Sequence, residues 1–221
     1  MPHASASASA NANIIRQEHR ALSAMLRASL LMLGEHRRRD TLPDFAALRA
    51  MLFYVDEFPE RLHHPKESRL LFAKLRGRDA STDAVLDRLE RDHAQGEHAI
   101  REIEHALLGF EMMGETTQRN ARRDTFEASM TRYMRSWLAH MRTEEAEILP
   151  LAESVLGADD WAELDAAFRS NRDPLTGFEA DAVYQALFRK ILKALPVSSG
   201  IGGALEALAG SGPPKFAPQR P

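Results

Sequence analysis

Apolar residues recur every three or four positions along most of the chain, which is the period of an amphipathic α-helix. No convincing run of alternating apolar and polar residues, the pattern of a half-buried strand, is found. Helix start and stop signals divide the periodic sequence into six predicted helices. These helices cover approximately residues 13–38, 44–76, 81–113, 119–156, 159–168 and 180–195.

Capping and turn-forming residues set these boundaries. Asp44 and the segment 81–83 offer N-cap side chains, which accept hydrogen bonds from free backbone N–H groups of a first turn. Pro59 and Pro65 are expected to kink the second helix, because each removes a backbone donor and crowds the preceding turn. Pro150 is expected to bend the fourth helix. Glycines follow the predicted ends of three helices, at Gly77, Gly114 and Gly157.

The connections between the first four helices are short, which makes neighbouring helices antiparallel. The sequence therefore predicts an all-α fold in which residues 13–157 form an up-down-up-down four-helix bundle. Two extra helices within residues 158–196 are expected to cap it. Residues 1–12 are predicted to be a mobile N-terminal segment. Residues 197–221 carry few large apolar side chains and are predicted to be a disordered tail.

Composition excludes several classes of protein. The chain is 44% hydrophobic and 28% charged, which is ordinary for a soluble globular protein. A formal net charge of −3 gives no sign of nucleic-acid binding. The absence of cysteine rules out disulfides, thiolate metal sites and cysteine nucleophiles. Without a secretory signal or an apolar run of about 20 residues, no membrane span is predicted and a cytoplasmic location is expected.

Each of the first four helices carries one histidine on its apolar stripe, and three of these helices add a glutamate four residues later. Side chains four apart on a helix have Cβ atoms about 5–6 Å apart, so both can reach the same metal ion or two adjacent ions. The candidate metal ligands are His19, His63, Glu67, His93, Glu97, His140 and Glu144.

The burial of three glutamates needs charge compensation, because an isolated carboxylate in an apolar core is heavily penalised. The stripes offer no lysine or arginine as a regular partner. A pair of divalent ions would remove the difficulty, and bundle proteins build two-metal sites from carboxylates and imidazoles that converge from facing helices. The pattern therefore favours a metal pair over a set of structural core histidines.

The order of these residues resembles the hemerythrin-like HHE cation-binding family over approximately residues 14–156. The segments Phe58–Glu67 (FPERLHHPKE) and His140–Pro150 (HMRTEEAEILP) are similar to that family's second- and fourth-helix signatures. The resemblance implies two iron ions, bridged by oxo or hydroxo groups and by two glutamates. The ligands that it implies are His19, His63, Glu67, His93, His140 and Glu144.

Two positions depart from the oxygen-carrying members of that family. Those members have a second histidine where Glu97 stands, and an aspartate where Glu145 stands. By helical spacing Glu144 is the better ligand of the two neighbouring glutamates. Glu97 is a ligand or a nearby unliganded residue. As a ligand it would add negative charge, stabilise ferric iron and disfavour reversible oxygen carriage.

Several neighbouring residues leave alternatives open. His64, with Glu60 four residues before it, could replace His63 as a ligand. Tyr133 and Trp137 could line a small-molecule pocket or belong to the core, and Glu104 could accept a hydrogen bond from a ligand histidine. Imidazole and carboxylate ligands without thiolate suit iron, zinc or manganese. Iron is preferred, and zinc or manganese come next.

Three kinds of function are compatible with this site. The first is a di-iron protein that binds or senses O2, NO or peroxide, or that serves iron handling under oxidative or nitrosative stress. The second is a di-iron peroxidase or oxidase. The third is a partner-binding module in which the metal only holds the fold and the C-terminal helices dock a protein.

Overall fold

The structure, a computed structural model, describes residues 4–178 and 182–194, and every regular element in these ranges is helical. The first half contains α1, α2, π1, α3, π2 and α4, which span Ala4–Arg38, Phe45–Val55, Asp56–His63, His64–Lys66, Glu67–Phe72 and Ala73–Leu75. The second half contains α5, α6, π3, α7, α8, a 3₁₀ turn and α9. They span Ala80–Met112, Arg119–Thr143, Glu144–Ile148, Leu149–Val155, Ala158–Arg169, Pro174–Thr176 and Ala182–Ala194.

The second and fourth predicted helices are each one continuous helical stretch that contains π-helical turns. Backbone angles stay right-handed at the junctions inside both stretches. The N–H of His64 donates to the carbonyl of Pro59, and the N–H of Leu149 donates to the carbonyl of Glu144. Each bond joins residues five apart in sequence, which is the hydrogen-bond pattern of a π-helix. Pro59 lies within π1, and Pro65 and Pro150 are the second residues of α3 and α7, directly after π1 and π3. The helices therefore continue through the three prolines that are expected to kink or bend them.

Capping residues differ in part from the sequence prediction. The prediction for Asp44 is confirmed, because its carboxylate accepts from the N–H of Ala47 at 3.0 Å. The third helix is capped by Asp79, two residues earlier than expected. The first helix begins at Ala4 and not near residue 13, in a stretch rich in alanine, the residue with the highest helix propensity.

Two apolar clusters fill the interior of the described part of the chain. The larger one is formed by buried apolar residues within 22–33 of α1, 48–58 of the second stretch, 100–110 of α5 and 126–141 of α6. The smaller one contains Ile15, Leu71–Leu75, Leu86, Leu89 and Ile148–Ala152. In each of the four main helical stretches, the predicted ligand histidine or glutamate lies in sequence between these two clusters. The clusters therefore enclose a polar layer.

The last two helices cover this core. α8 packs on α1 and buries Trp161, Leu164 and Phe168 in the smaller cluster. α9 packs on α2, and its buried residues Phe188 and Ile191 join the larger cluster. None of the described helices is long and apolar enough to cross a membrane. The predicted tail, 197–221, lies outside the described residues.

Candidate metal centre

Six of the seven predicted ligands converge in the polar layer between the two apolar clusters. Glu67 and Glu144 are fully buried, and the four histidines retain between 3% and 9% of their exposure. His93 is the most exposed of them. Burial of this many ionisable groups is costly unless charges are paired or a metal is bound. The six residues are His19, His63, Glu67, His93, His140 and Glu144.

The histidines form two pairs, and each pair faces one oxygen of Glu67 and one oxygen of Glu144. In the first pair, which we call the 19/63 subsite, the Nε2 atom of His63 lies 3.0 Å from Glu67 Oε1. The Nε2 atom of His19 lies 3.5 Å from the same oxygen and 3.3 Å from Glu144 Oε2. Ligand atoms of His19, His63 and Glu67 thus lie within 4.8 Å of one another, and Glu144 approaches this subsite through its contact with His19.

The second pair, the 93/140 subsite, uses the other two glutamate oxygens. The Nε2 atom of His140 lies 3.1 Å from Glu144 Oε1 and 3.0 Å from the Nε2 atom of His93. His93 Nε2 is also 3.5 Å from Glu67 Oε2 and 3.9 Å from Glu144 Oε1. Glu67 and Glu144 therefore each face both subsites, one oxygen to each.

These atoms fit a pair of metal ions by two criteria. Two ligand atoms that bind one ion at about 2.1 Å lie about 3.0 Å apart at a right angle and about 3.4 Å apart at the tetrahedral angle. The separations above run from 3.0 to 3.9 Å, and all but one are 3.5 Å or less. In addition, five of the buried side-chain atoms without a hydrogen-bond partner belong to the layer, although each faces other polar atoms. They are His63 Nε2 and all four oxygens of Glu67 and Glu144. Their lone pairs are available to a cation.

Electrostatics in the polar layer pair imidazolium with carboxylate. Burial opposes the charge on His63, but the carboxylates of Glu67 and Glu18 outweigh it and raise its pKa to about 10. The pKa of His19 and that of His140 are raised for similar reasons. Burial also opposes ionisation of Glu67, but the facing imidazoles hold its pKa well below the usual range.

The Nδ1 atom of each histidine in the layer faces a polar group that we call its outer partner. Outer partners fix the ring orientation and the tautomer, so that Nε2 presents a lone pair to a metal. The four pairs are His19 with Glu145 at 3.0 Å, His63 with Glu18 at 2.5 Å, His93 with Ser68 at 2.8 Å and His140 with Asp92 at 3.2 Å.

These outer partners were not predicted from the sequence, although they share a simple signal. Each is adjacent in sequence to a member of the layer but serves a histidine on another helical stretch. Glu18 precedes His19 and pairs with His63, and Asp92 precedes His93 and pairs with His140. The predicted outer partner, Glu104, is exposed on α5 and lines a groove away from the layer.

Glu97 is the one predicted ligand that does not reach the layer. Its side chain is 69% exposed and lies 3.7 Å from Arg101. The inward face of α5 passes through His93, Gly96 and Ile100, with spacings of three and four residues. Glu97 is therefore one position past this face, and the expectation of a seventh ligand there is corrected.

His64 belongs to a second buried polar group beside the layer. Its ring stacks on His93 at 4.7 Å and on Trp137 at 4.1 Å between centroids. Its Nδ1 atom is 3.2 Å from Glu60 Oε2, and the Tyr133 hydroxyl donates to the other oxygen of Glu60. Burial raises the pKa of Glu60 to about 7 against the effect of the tyrosine hydrogen bond. Tyr133 and Trp137 are thus buried core residues that also contact this group.

Gly96 provides the space that this second polar group occupies. A Cβ atom at residue 96 would overlap the Trp137 ring and lie 2.8 Å from Glu60 Oε1. We expect Gly96→Ala to lower the free energy of unfolding by about 1–3 kcal/mol, because a rigid buried ring must shift. Chemical denaturation of the two proteins measures this difference.

Gly109, on the same helix, is the matched control. A Cβ atom there meets only the Arg122 side chain, at 3.6 Å or more. Gly109→Ala should stabilise the protein by up to about 1 kcal/mol through helix propensity. Equal effects of the two substitutions would contradict the packing role given to Gly96.

An open groove of about 430 Å³ reaches the layer from solvent at His19. Its other lining residues include Arg20, Ser23, Arg142 and Glu145. His19 and His63 both line a second, small cavity of about 10 Å³, close to the smallest volume that holds a water molecule. The 19/63 subsite therefore lies nearest to a described opening.

Comparison with known proteins agrees with this geometry. Residues 11–152 match the family model of the hemerythrin HHE cation binding domain, which is well over half of the chain. No curated protein gives a significant match, and no solved structure does.

Proposed function

The chain belongs to the hemerythrin HHE cation-binding domain family, and we propose that it holds two iron ions and uses them to bind O2, NO or peroxide. In this proposal His19 and His63 would hold one ion, and His93 and His140 would hold the other. Glu67 and Glu144, which face both subsites, would be shared between the two ions. The biological role would be sensing of these molecules, or iron handling under oxidative or nitrosative stress.

The division of both glutamates between two histidine pairs carries this proposal. One oxygen of Glu67 faces His63, and the other faces His93. A single ion would leave one histidine pair and two buried oxygens uncompensated. Two ions satisfy all of them, and the ligand set contains only imidazole and carboxylate, which iron accepts.

The arrangement of the helices supports a four-helix up-down-up-down bundle for residues 13–157. Along the first and third predicted helices, the smaller apolar cluster precedes the larger one. Along the second and fourth, the larger cluster comes first. Successive helices that meet the same two layers in opposite order run in opposite directions.

The protein groups would act by binding, orientation and exclusion of water. Three residues converge at the 19/63 subsite and four at the 93/140 subsite, which would leave coordination positions open for a small molecule. When bound, iron supplies the redox and ligand-binding chemistry. Carboxylate outer partners make His19, His63 and His140 stronger donors. With Glu97 outside the layer, its charge does not disfavour oxygen binding.

The test is metal analysis followed by ligand addition. We expect iron-reconstituted protein to contain close to two irons per chain, and the reduced form to change its visible spectrum on addition of NO or O2. A value near one that excess iron does not raise would contradict the two-ion assignment. Two bound irons without a spectral response to NO, O2 or peroxide would leave the metal a purely structural role.

The second polar group favours one alternative, a di-iron peroxidase or oxidase. The Tyr133 phenol donates to a buried carboxylate, and Trp137 contacts the ring of His140 at 4.6 Å. An aromatic donor and a proton acceptor thus lie beside the layer. Sustained consumption of peroxide by the iron-loaded protein, decreased in Tyr133→Phe, would favour the enzyme over the binding protein.

A further inference from the structure

The chain directly after α8 buries two polar side chains in the interior. Asn171 and Asp173 are 5% and 2% exposed, while Arg172 between them is exposed. Arg172 has a φ of 47°, a left-handed conformation that residues other than glycine adopt rarely. The Tyr54 hydroxyl donates to Asp173 at 2.8 Å and holds the turn in place. A turn of this kind requires compensation by the contacts that it makes.

The contacts of Asn171 lead directly to the polar layer. Its Nδ2 atom lies 3.1 and 3.0 Å from the two oxygens of Glu18 and donates to this carboxylate. Its Oδ1 atom accepts from the ammonium group of Lys66. Glu18 in turn is the outer partner of His63, at 2.5 Å. The result is a buried chain of hydrogen bonds from Asn171 through Glu18 to His63.

This chain determines how His63 faces the metal position. The Nδ1–H group of His63 donates to Glu18, which directs Nε2 toward Glu67 Oε1; this nitrogen carries a proton in the metal-free protein and would offer its lone pair to a metal that displaces the proton. Without Asn171, the Glu18 carboxylate would lose its amide donor inside a desolvated site, and it would be free to turn away from the imidazole. α8 adds a further constraint, because the Phe168 ring contacts His63 edge-on at 5.3 Å.

We infer that the segment beyond the matched domain completes the metal centre, with Asn171 as a positioning residue for the 19/63 subsite. The family match ends at residue 152, and Asn171 and Phe168 both follow it. The last helices thus have a role besides covering the apolar core. This inference rests on the proposed binding of metal by the layer, but not on which small molecule the metal binds.

The first experiment compares Asn171→Ala with Ser170→Ala in the full-length protein. Ser170 neighbours Asn171 and also accepts from Lys66, at 3.0 Å, but it does not touch Glu18. Ferrous iron affinity is measured anaerobically by competition with a chelator. Loss of an outer hydrogen bond typically weakens metal binding by about 10–100-fold, which we expect for Asn171→Ala. Ser170→Ala should bind as the wild type does.

The melting temperature of the metal-free proteins separates positioning from a general loss of stability. If Asn171 positions the subsite, the increase in melting temperature caused by iron will be smaller in Asn171→Ala than in the wild type. If Asn171→Ala lowers the melting temperature of the metal-free and the iron-bound protein equally, and iron affinity is unchanged, the inference is wrong. A wild type that binds no iron would overturn the proposed function itself. If the wild type binds two irons and Asn171→Ala binds them equally well, only the inference about Asn171 fails.

A double-mutant cycle tests whether Asn171 acts through Glu18. Glu18→Gln removes the charge that His63 faces and should weaken iron binding by itself. Because the two residues lie on one hydrogen-bonded path, Asn171→Ala should then cost much less affinity in the Glu18→Gln background than in the wild type. Additive losses would show that Asn171 acts by another route and would overturn the assigned path.

Discussion

Replacement of Glu67 by glutamine is expected to remove both irons and not one. Glu67 is fully buried, and each of its oxygens faces a different subsite. Glutamine keeps the size of the side chain but removes the charge and one of the two acceptor oxygens. We expect iron affinity to fall by more than the roughly 10–100-fold cost of a lost outer hydrogen bond. Elemental analysis and chelator competition measure the loss.

Glu97→Gln is the matched control for this substitution. Like Glu67, Glu97 follows a predicted histidine ligand by four residues, but it is exposed, and its ion-pair partner among the described residues is Arg101. Its replacement should leave two irons per chain. Two irons retained in Glu67→Gln, or a loss in Glu97→Gln, would reverse the assignment of these glutamates.

Iron binding is expected to release protons and to strengthen steeply as pH rises. The pKa of His63 is raised to about 10, so this residue holds a proton at pH 7 in the metal-free layer; nearby carboxylates also raise the pKa of His19 and that of His140 against the effect of burial. A metal accepts only the neutral imidazole. Displacement of the His63 proton would strengthen binding by about tenfold per pH unit below pH 10, and each further proton displaced would add up to about another factor of ten. Calorimetry in buffers of different ionisation enthalpy counts the protons released.

The stability of the metal-free protein should change with pH in the opposite sense. The pKa of His63 rises from 6.5 to about 10 on folding, so its contribution is complete below pH 6.5 and disappears as pH rises toward 10. The pKa of Glu67 falls below 4.5, so its contribution is lost as pH falls through the acid range. The difference in melting temperature between the iron-bound and the metal-free protein should therefore increase from pH 6 to pH 9. A constant difference in melting temperature would contradict this account.

Much of the layer could be predicted because it depends on local helical spacing. The stripe positions alone predict seven residues, of which six lie in the layer. Of the three glutamates that follow a histidine by four positions, Glu67 and Glu144 lie there and Glu97 does not. Glu97 fails because the face of α5 continues to Ile103 and Phe110, which fixes the inward position as Gly96. The positions of these two apolar residues in the sequence are enough to show which side of α5 faces inward, and Glu97 is not on it.

The outer partners could not be predicted by the same means. Glu18 serves His63 and Glu145 serves His19, so each bond joins two different helical stretches. Such pairings depend on the rotation and height of one helix against another, which no periodicity within a single helix fixes. The contribution of Asn171 is harder still to predict from helical spacing, because Asn171 lies in a short turn whose left-handed residue, Arg172, directs it inward.

The π-helical turns determine how this chain responds to a change in its length. Glu67 and Glu144 each open a π-helical segment, and His63 closes another. A π turn accommodates one residue more than an α turn, so each segment is equivalent to an insertion that the helix has absorbed. Deletion of the exposed Ala146 would therefore restore ordinary α-helical winding and leave the following residues on the same face of the helix. Ile148 and Leu149 would stay in the smaller apolar cluster, whereas deletion of a residue from an α-helical turn would rotate the residues after it by about 100°. A gap of one residue is therefore a milder change in these π-helical segments than elsewhere in the same helices.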